Sequence, residues 1–246
     1  MKHFFLFFFI TASSNAACEE IKNDISKLIE TVEQIEKNVP FSKLQCAEGN
    51  SSHQTSGLTS SFFEKGANCT KFIQKNGEYG DHGKIVFNAI KELGPQSHMV
   101  ADSIPGMDED PFACPKWKQL NYETRLRFWV WTFAAIAWDE SKCRPNERNP
   151  KGTGGPVVGL LQMEESASKR AWRGKNCKAT DILPPENNLR CGVDIMAELM
   201  RGKDGVYKGS GKIWPTNSYW EKLRPHANRN GPTASAKMIQ EFHDCK

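Results

Sequence analysis

The chain has eight cysteines but no C-x-x-C pair and no closely spaced Cys/His cluster. That excludes the usual structural zinc sites, whose ligands come in near-neighbour pairs. Long apolar runs are missing as well. The run at residues 4–10 falls far short of the roughly 20 residues a membrane-spanning helix needs, and no other stretch is long and apolar enough. Neither sign of charge dominates: 33 Lys and Arg against 29 Asp and Glu leave a formal charge of +4. So small an excess, with no motif of interleaved basic and aromatic residues, gives no ground for a nucleic-acid partner. Residues 101–116 gather Asp102, Asp108, Glu109 and Asp110 among Pro and Gly. They lack the glycine and ligand spacing of an EF-hand and read as a solvated acidic loop. No metal or other cofactor is expected.

Residues 1–17, MKHFFLFFFITASSNAA, combine one Lys, the short apolar run and small residues before Cys18. This is the pattern of a secretory signal peptide cleaved after Ala16 or Ala17. Lipidation of Cys18 is the alternative. Against it, Asn15 stands where such signals need an aliphatic residue, and acylating Cys18 leaves an odd number of cysteines. Cleavage leaves about 229 residues and a formal charge of about +3, enough chain for one sizeable core or a core with a helical appendage. The even set Cys18, Cys46, Cys69, Cys114, Cys143, Cys177, Cys191 and Cys245 implies disulfides in an oxidising compartment, secreted or periplasmic, with a connectivity that spacing does not reveal. In residues 19–37, Ile21, Ile25, Leu28, Ile29, Val32 and Ile35 recur at helical spacing, and a second short helix is expected over 84–93, stopped by Gly94-Pro95. Residues 18–96 carry no motif with a chemical meaning.

The segment 121–140, NYETRLRFWVWTFAAIAWDE, is different: it has no Gly or Pro, and Leu126, Trp129, Val130, Phe133, Ile136 and Ala137 recur at helical spacing. It reads as a nearly buried helix. Glu140 lies seven residues beyond Phe133 and fourteen beyond Leu126, on the same stripe. A carboxylate there feels partial desolvation and the negative end of the helix dipole, and both raise its pKa. A proton donor that works near neutral pH needs that environment. Past it, Pro145, Pro150, Gly152, Gly154, Gly155 and Pro156 exclude regular structure through most of 144–158, with a short hairpin expected near 157–163. Residues 163–172 read as helical, 174–187 as a loop, and Asn188 as the start of a further helix; the chain ends in a short helix tied down by Cys245.

Three elements in this order, Glu140-Ser141, then Gly159-Leu160-Leu161-Gln162, then Asn188 with Gly192, resemble those of the soluble lytic transglycosylases and goose-type lysozymes. The resemblance covers residues 115–225, with Leu161 where Met is usual. It implies cleavage of the glycan strands of bacterial peptidoglycan, with Glu140 protonating the leaving oxygen. It also implies that Ser141, Gly159, Leu161, Gln162 and Asn188 shape or contact the sugar cleft. The family's tyrosine element, A-Y-N-A-G, is absent here; Tyr219 is the nearest counterpart, with Tyr207 behind it. Goose-type lysozymes carry an acidic residue two positions past the G-L-M-Q element, and Glu164 stands there. As a second catalytic carboxylate it would orient a water and make the enzyme a hydrolase, which is the reading taken here; the alternative is attack by the sugar's own 6-hydroxyl, as in the lytic transglycosylases. Glu164 and Glu165 also suit the solvated first turn of a helix. A chitinase-type activity and an inactive wall-binding module are the other readings the resemblance leaves open.

The expected architecture is therefore mainly α (α+β): a lysozyme-like helical domain at 98–246 with a small β-hairpin at the cleft. A signal peptide at 1–17 and an N-terminal helical region at 18–97 precede it. The expected partner is the peptidoglycan glycan strand, met by a monomer with no stable membrane span.

Overall fold

The computed structural model describes residues 67–246 apart from 106, 108–113, 153, 202–217 and 224–233. All of these lie in one compact unit of the chain, Thr55–Lys246. The signal-like segment, the 19–37 helix, Cys18, Cys46, Tyr207 and, in the acidic loop, Asp108, Glu109 and Asp110 fall outside the described residues. Among the described residues there are five α-helices: α1 (Asp81–Glu92), α2 (Tyr122–Ser141), α3 (Ala167–Arg170), α4 (Pro185–Met200) and α5 (Ala234–Gln240). Strands β1 (Arg148–Asn149), β2 (Val157–Val158) and β3 (Met163–Glu164) form a small antiparallel sheet in that order. None of the described helices is long and apolar enough to cross a membrane.

Helix α2 is the axis of the fold. Its start is fixed by Asn121, whose side-chain oxygen accepts from the Thr124 N–H and hydroxyl at 2.9 Å each, an N-cap that satisfies an otherwise orphaned donor. Twelve of its residues from Arg125 to Ala137 are buried, so it is covered on nearly all sides rather than along one stripe. Helices α1 and α5 pack against it, and α4 packs on α1. Three tryptophans bury their rings in this core and each spends its indole N–H on a backbone carbonyl: Trp117 on Ala101 at 2.8 Å, Trp129 on Met99 at 2.5 Å and Trp131 on Met238 at 2.6 Å. Those bonds let large aromatic side chains be buried without an unsatisfied donor.

The helices expected at 121–140 and 84–93 are present as α2 and α1. The hairpin expected near 157–163 is present as β2 and β3, with Val157 opposite Glu164 and Val158 opposite Met163. Two segments differ. Residues 163–172 are not a continuous helix: Met163–Glu164 is strand, and only Ala167–Arg170 forms an α-turn. The strand wins because pairing with Val157-Val158 buries Met163. Helix α4 begins at Pro185 rather than at Asn188. Proline lacks the N–H that a first-turn residue cannot use anyway, and its fixed φ suits the helix start. Arg148–Asn149 adds a third strand inside the Pro/Gly-rich loop, opposite Val158 and Val157.

Three disulfides tie the unit together: Cys69–Cys143, Cys114–Cys245 and Cys177–Cys191. Cys245 thus anchors the C-terminal turn, as expected.

Candidate active site

Glu140 is the penultimate residue of α2, and the chain turns sharply just beyond it. Lys142 (φ 55°) and Cys143 (φ 57°) are consecutive left-handed residues, a conformation that costs energy for side chains other than glycine. Two hydrogen bonds and a covalent bond hold it. The Lys142 N–H donates to Trp138 and the Cys143 N–H to Ala137, both at 3.0 Å, and Cys143 is bonded to Cys69. Glu140 itself is half-buried. Burial pushes its carboxyl up to about 7. Lys222 works against that shift, Asp139 and Glu221 add to it, and Lys142 opposes it weakly. The neighbouring Asp139 is engaged elsewhere, accepting from the Ser235 hydroxyl at 2.6 Å and its N–H at 3.2 Å.

Ser141 joins this helix end to the loop between β2 and β3. It is 1% exposed, and its hydroxyl lies 3.0 Å from the Ala137 carbonyl and 2.8 Å from that of Leu160. Leu160 and Leu161 are buried, and Gly159 takes φ 80°. A side chain on Gly159 would put its Cβ 2.4 Å from the Asn188 amide nitrogen. Asn188 is wholly buried and makes three hydrogen bonds, two to the hairpin and one to the segment that leads into α4. Its oxygen accepts from the Leu161 N–H at 2.9 Å, and its amide donates to Val158 at 3.1 Å and Ile182 at 3.0 Å. One helical turn on, a Cβ on Gly192 would fall 2.3 Å from Leu161 Cδ1. The spacing of Asn188 and Gly192 therefore has a plain cause: both stand on the face of α4 that receives this loop. Gln162, at φ 49°, turns its amide back onto the loop, donating to Gly159 at 3.0 Å and Glu147 at 3.3 Å.

Glu164 ends β3 and is not in a helix. Its Oε2 lies 2.6 Å from Arg173 Nη1, with the two side chains only 16% and 11% exposed. The Arg173 guanidinium sits over the ring of Tyr219, 4.3 Å from its centroid, and the Tyr219 hydroxyl accepts from the Glu164 N–H at 3.3 Å. Burial pushes the Tyr219 phenol up. The next residue, Trp220, donates to the Leu161 carbonyl at 3.1 Å. Glu165 points elsewhere, to Arg148 at 2.5 Å. Beneath the end of β3, the wholly buried Arg170 donates to the carbonyls of Glu164 (2.9 Å), Glu165 (2.5 Å), Ala179 and Thr180.

The structure thus joins the expected residues in two linked groups. Ser141, Gly159, Leu161, Gln162 and Asn188 build one loop against the end of α2; Glu164 and Tyr219 meet at Arg173. Arg173, Arg170, Trp220 and Lys222 were not singled out by the sequence, where they read as ordinary residues of basic or loop segments. Two open surface depressions, one bordered by Lys71, Gln74 and Asp81 and the other by Lys116, Asn121 and His243, contain none of these side chains. Among the described residues no group of three His, Cys, Asp or Glu could hold a metal ion.

Residues 120–220 match the family model described as the Transglycosylase SLT domain. No curated protein matches the chain. Among solved structures, wild-type form 2 of Bd0314 DslA is similar at 22% identity and a TM-score of 0.50, over 70% of this chain and 93% of that one, a likeness of fold. Two glutamate-to-glutamine variants of the same protein match over the same shares, at 25% and 20% identity, each with a TM-score of 0.48.

Proposed function

We propose that this chain, whose residues 120–220 carry a transglycosylase SLT domain, cleaves the MurNAc–GlcNAc bond of peptidoglycan with Glu140 as the proton donor. The observation that carries the reading is the half-buried carboxyl at the end of α2, held protonated to about pH 7 by its burial. A carboxylic acid in that state delivers its proton to the glycosidic oxygen as the bond to C1 breaks. The resulting carboxylate then takes a proton from whatever attacks C1. Gly159, Leu161 and Gln162 form the loop that borders the sugar; Ser141 and Asn188 act on the substrate through that loop, because their own polar atoms are spent on it. We assign residues 98–246 as the catalytic domain. The disulfides fit action in a secreted or periplasmic setting.

Two nucleophiles are open to such an enzyme. A water oriented by Glu164 gives a reducing MurNAc end. Attack by the sugar's own 6-hydroxyl gives a 1,6-anhydro end, lighter by one water. The ion pair between Glu164 and Arg173 favours the second, because it commits a buried carboxylate oxygen to the guanidinium instead of leaving it to orient a water. Mass spectrometry of muropeptides released from purified sacculi tests both levels. Anhydro ends from the wild type, and release slowed roughly 10²–10⁴-fold by Glu140→Gln, are expected. Reducing ends would return Glu164 to the catalytic role, and full activity of Glu140→Gln would overturn the assignment of Glu140.

A further inference from the structure

The group formed by Arg173, Glu164 and Tyr219 has a composition that ordinary packing does not call for. A carboxylate and a guanidinium, both largely buried, are an expensive way to fill space, since desolvating each ion offsets much of their attraction. Glu164 Oε2 is buried and makes no hydrogen bond, so the ion pair with Arg173 is what compensates the burial of the carboxylate. The guanidinium makes a second contact over the Tyr219 ring, 4.3 Å from its centroid, and Tyr219 returns to Glu164 through the backbone N–H. Three residues from three separate segments close a ring. On one side the ring holds β3, and with it the loop that Ser141 ties to the end of α2. On the other it holds residues 218–223, which place Trp220 on the Leu161 carbonyl and bring the Lys222 charge to bear on Glu140. Arg170 fixes the end of β3 from below through backbone carbonyls alone, leaving the Glu164 side chain to Arg173.

We propose that Arg173 is a positioning residue for cleavage: by binding the Glu164 carboxylate and the Tyr219 ring together, it locks residues 218–223 onto β3. The proposal rests on the reading of Glu140 as the acid, and it assigns Glu164 to the same lock. An Arg at this place is not interchangeable with Lys, because an ammonium can pair with the carboxylate but has no flat face to lay on the phenol ring.

The test is a double-mutant cycle on kcat with Arg173→Met, Glu164→Gln and the pair together, alongside Arg173→Lys. If the two side chains act as one unit, each single change lowers kcat by a similar factor, roughly 10–100-fold for a displaced cleft wall. The double change is then no worse than either single one. Arg173→Lys should recover part of the loss. Hydrogen exchange should rise in residues 218–223 of Arg173→Met and stay unchanged through α2, a readout that does not depend on turnover. Product ends should keep their wild-type mass. The proposal is overturned if Glu164→Gln is far more damaging than Arg173→Met, or if the losses multiply. It is overturned equally if Arg173→Met begins to yield reducing ends, or if exchange in 218–223 does not change. Should Arg173→Met fail to fold, Arg173→Lys and Glu164→Gln carry the same comparison through exchange and kcat. Glu140→Gln, run in parallel, separates the two levels: activity surviving there sinks the assignment of Glu140, whereas the exchange result bears on Arg173 alone.

Discussion

At the scale of single residues, a carboxyl group held protonated to about pH 7 leaves two signatures with the same origin. In the proposed role of acid, Glu140 works only while it carries its proton, so cleavage should decline as pH rises through 7. As a buried group, it also shapes stability. Its folded pKa lies above the unfolded value near 4.5, so the folded state binds the extra proton between those two points. Stability contributed by that proton is therefore complete below about 4.5, is lost as pH rises toward 7, and is absent above it. The shift corresponds to about 3 kcal/mol at most. Glu140→Gln, which never ionises, should melt higher than wild type at pH 8 and gain little at pH 4.5. A difference in melting temperature that is the same at both pH values would mean that the carboxyl titrates normally. The sequence exposed this residue because an acidic side chain on an otherwise apolar stripe is a local anomaly. It did not expose Arg173. An arginine beside Gly174 and Lys175 looks solvated, and only the return of residues 218–223 to β3 removes it from water.

At the scale of elements, the clearest segments were those whose evidence lies within themselves. Helix α2 has no breaker over twenty residues, so its periodicity is decided locally. Strand β1 has two residues and no period to read; it exists because Val157 and Val158 pair with it. The same holds for β3, where a locally helical run yields to pairing across the hairpin. The loop between β2 and β3 combines both kinds of cause. Gly159 needs a positive φ and also needs to be small, because Asn188 stands 2.4 Å from where its Cβ would be. Gly159→Ala should therefore strain the backbone and displace the three Asn188 hydrogen bonds, costing about 2–4 kcal/mol. Chemical denaturation reads that loss, and kcat should fall with it because the same loop is tied to Ser141. Wild-type stability for Gly159→Ala would show that the loop can shift without penalty.

At the scale of the whole molecule, the disulfides were legible as a class and illegible as a network, since pairing depends on a fold that spacing does not encode. That network permits a separation of stability from positioning. Cys69–Cys143 closes a loop with a sequence separation of 74, and Cys114–Cys245 one of 131. Loop entropy grows only with the logarithm of length, so the chain-entropy model assigns both about 4–5 kcal/mol. Replacing either pair by serine should lower the melting temperature by a similar amount. Their places in the fold differ. Cys143 is three residues past Glu140 and holds a left-handed turn, whereas Cys114–Cys245 ties down the C-terminal turn beyond α5. Cys69→Ser/Cys143→Ser should therefore lose kcat by more than the fraction unfolded explains, and its pH profile should move toward lower values as Glu140 gains water. Cys114→Ser/Cys245→Ser should keep the wild-type pH profile in its folded fraction. The comparison is made well below both melting temperatures, with folded fraction followed by circular dichroism. Equal activity losses in the two variants would mean that the turn after α2 holds its shape without Cys143, and that Ser141 and the backbone bonds to Ala137 and Trp138 suffice to place Glu140.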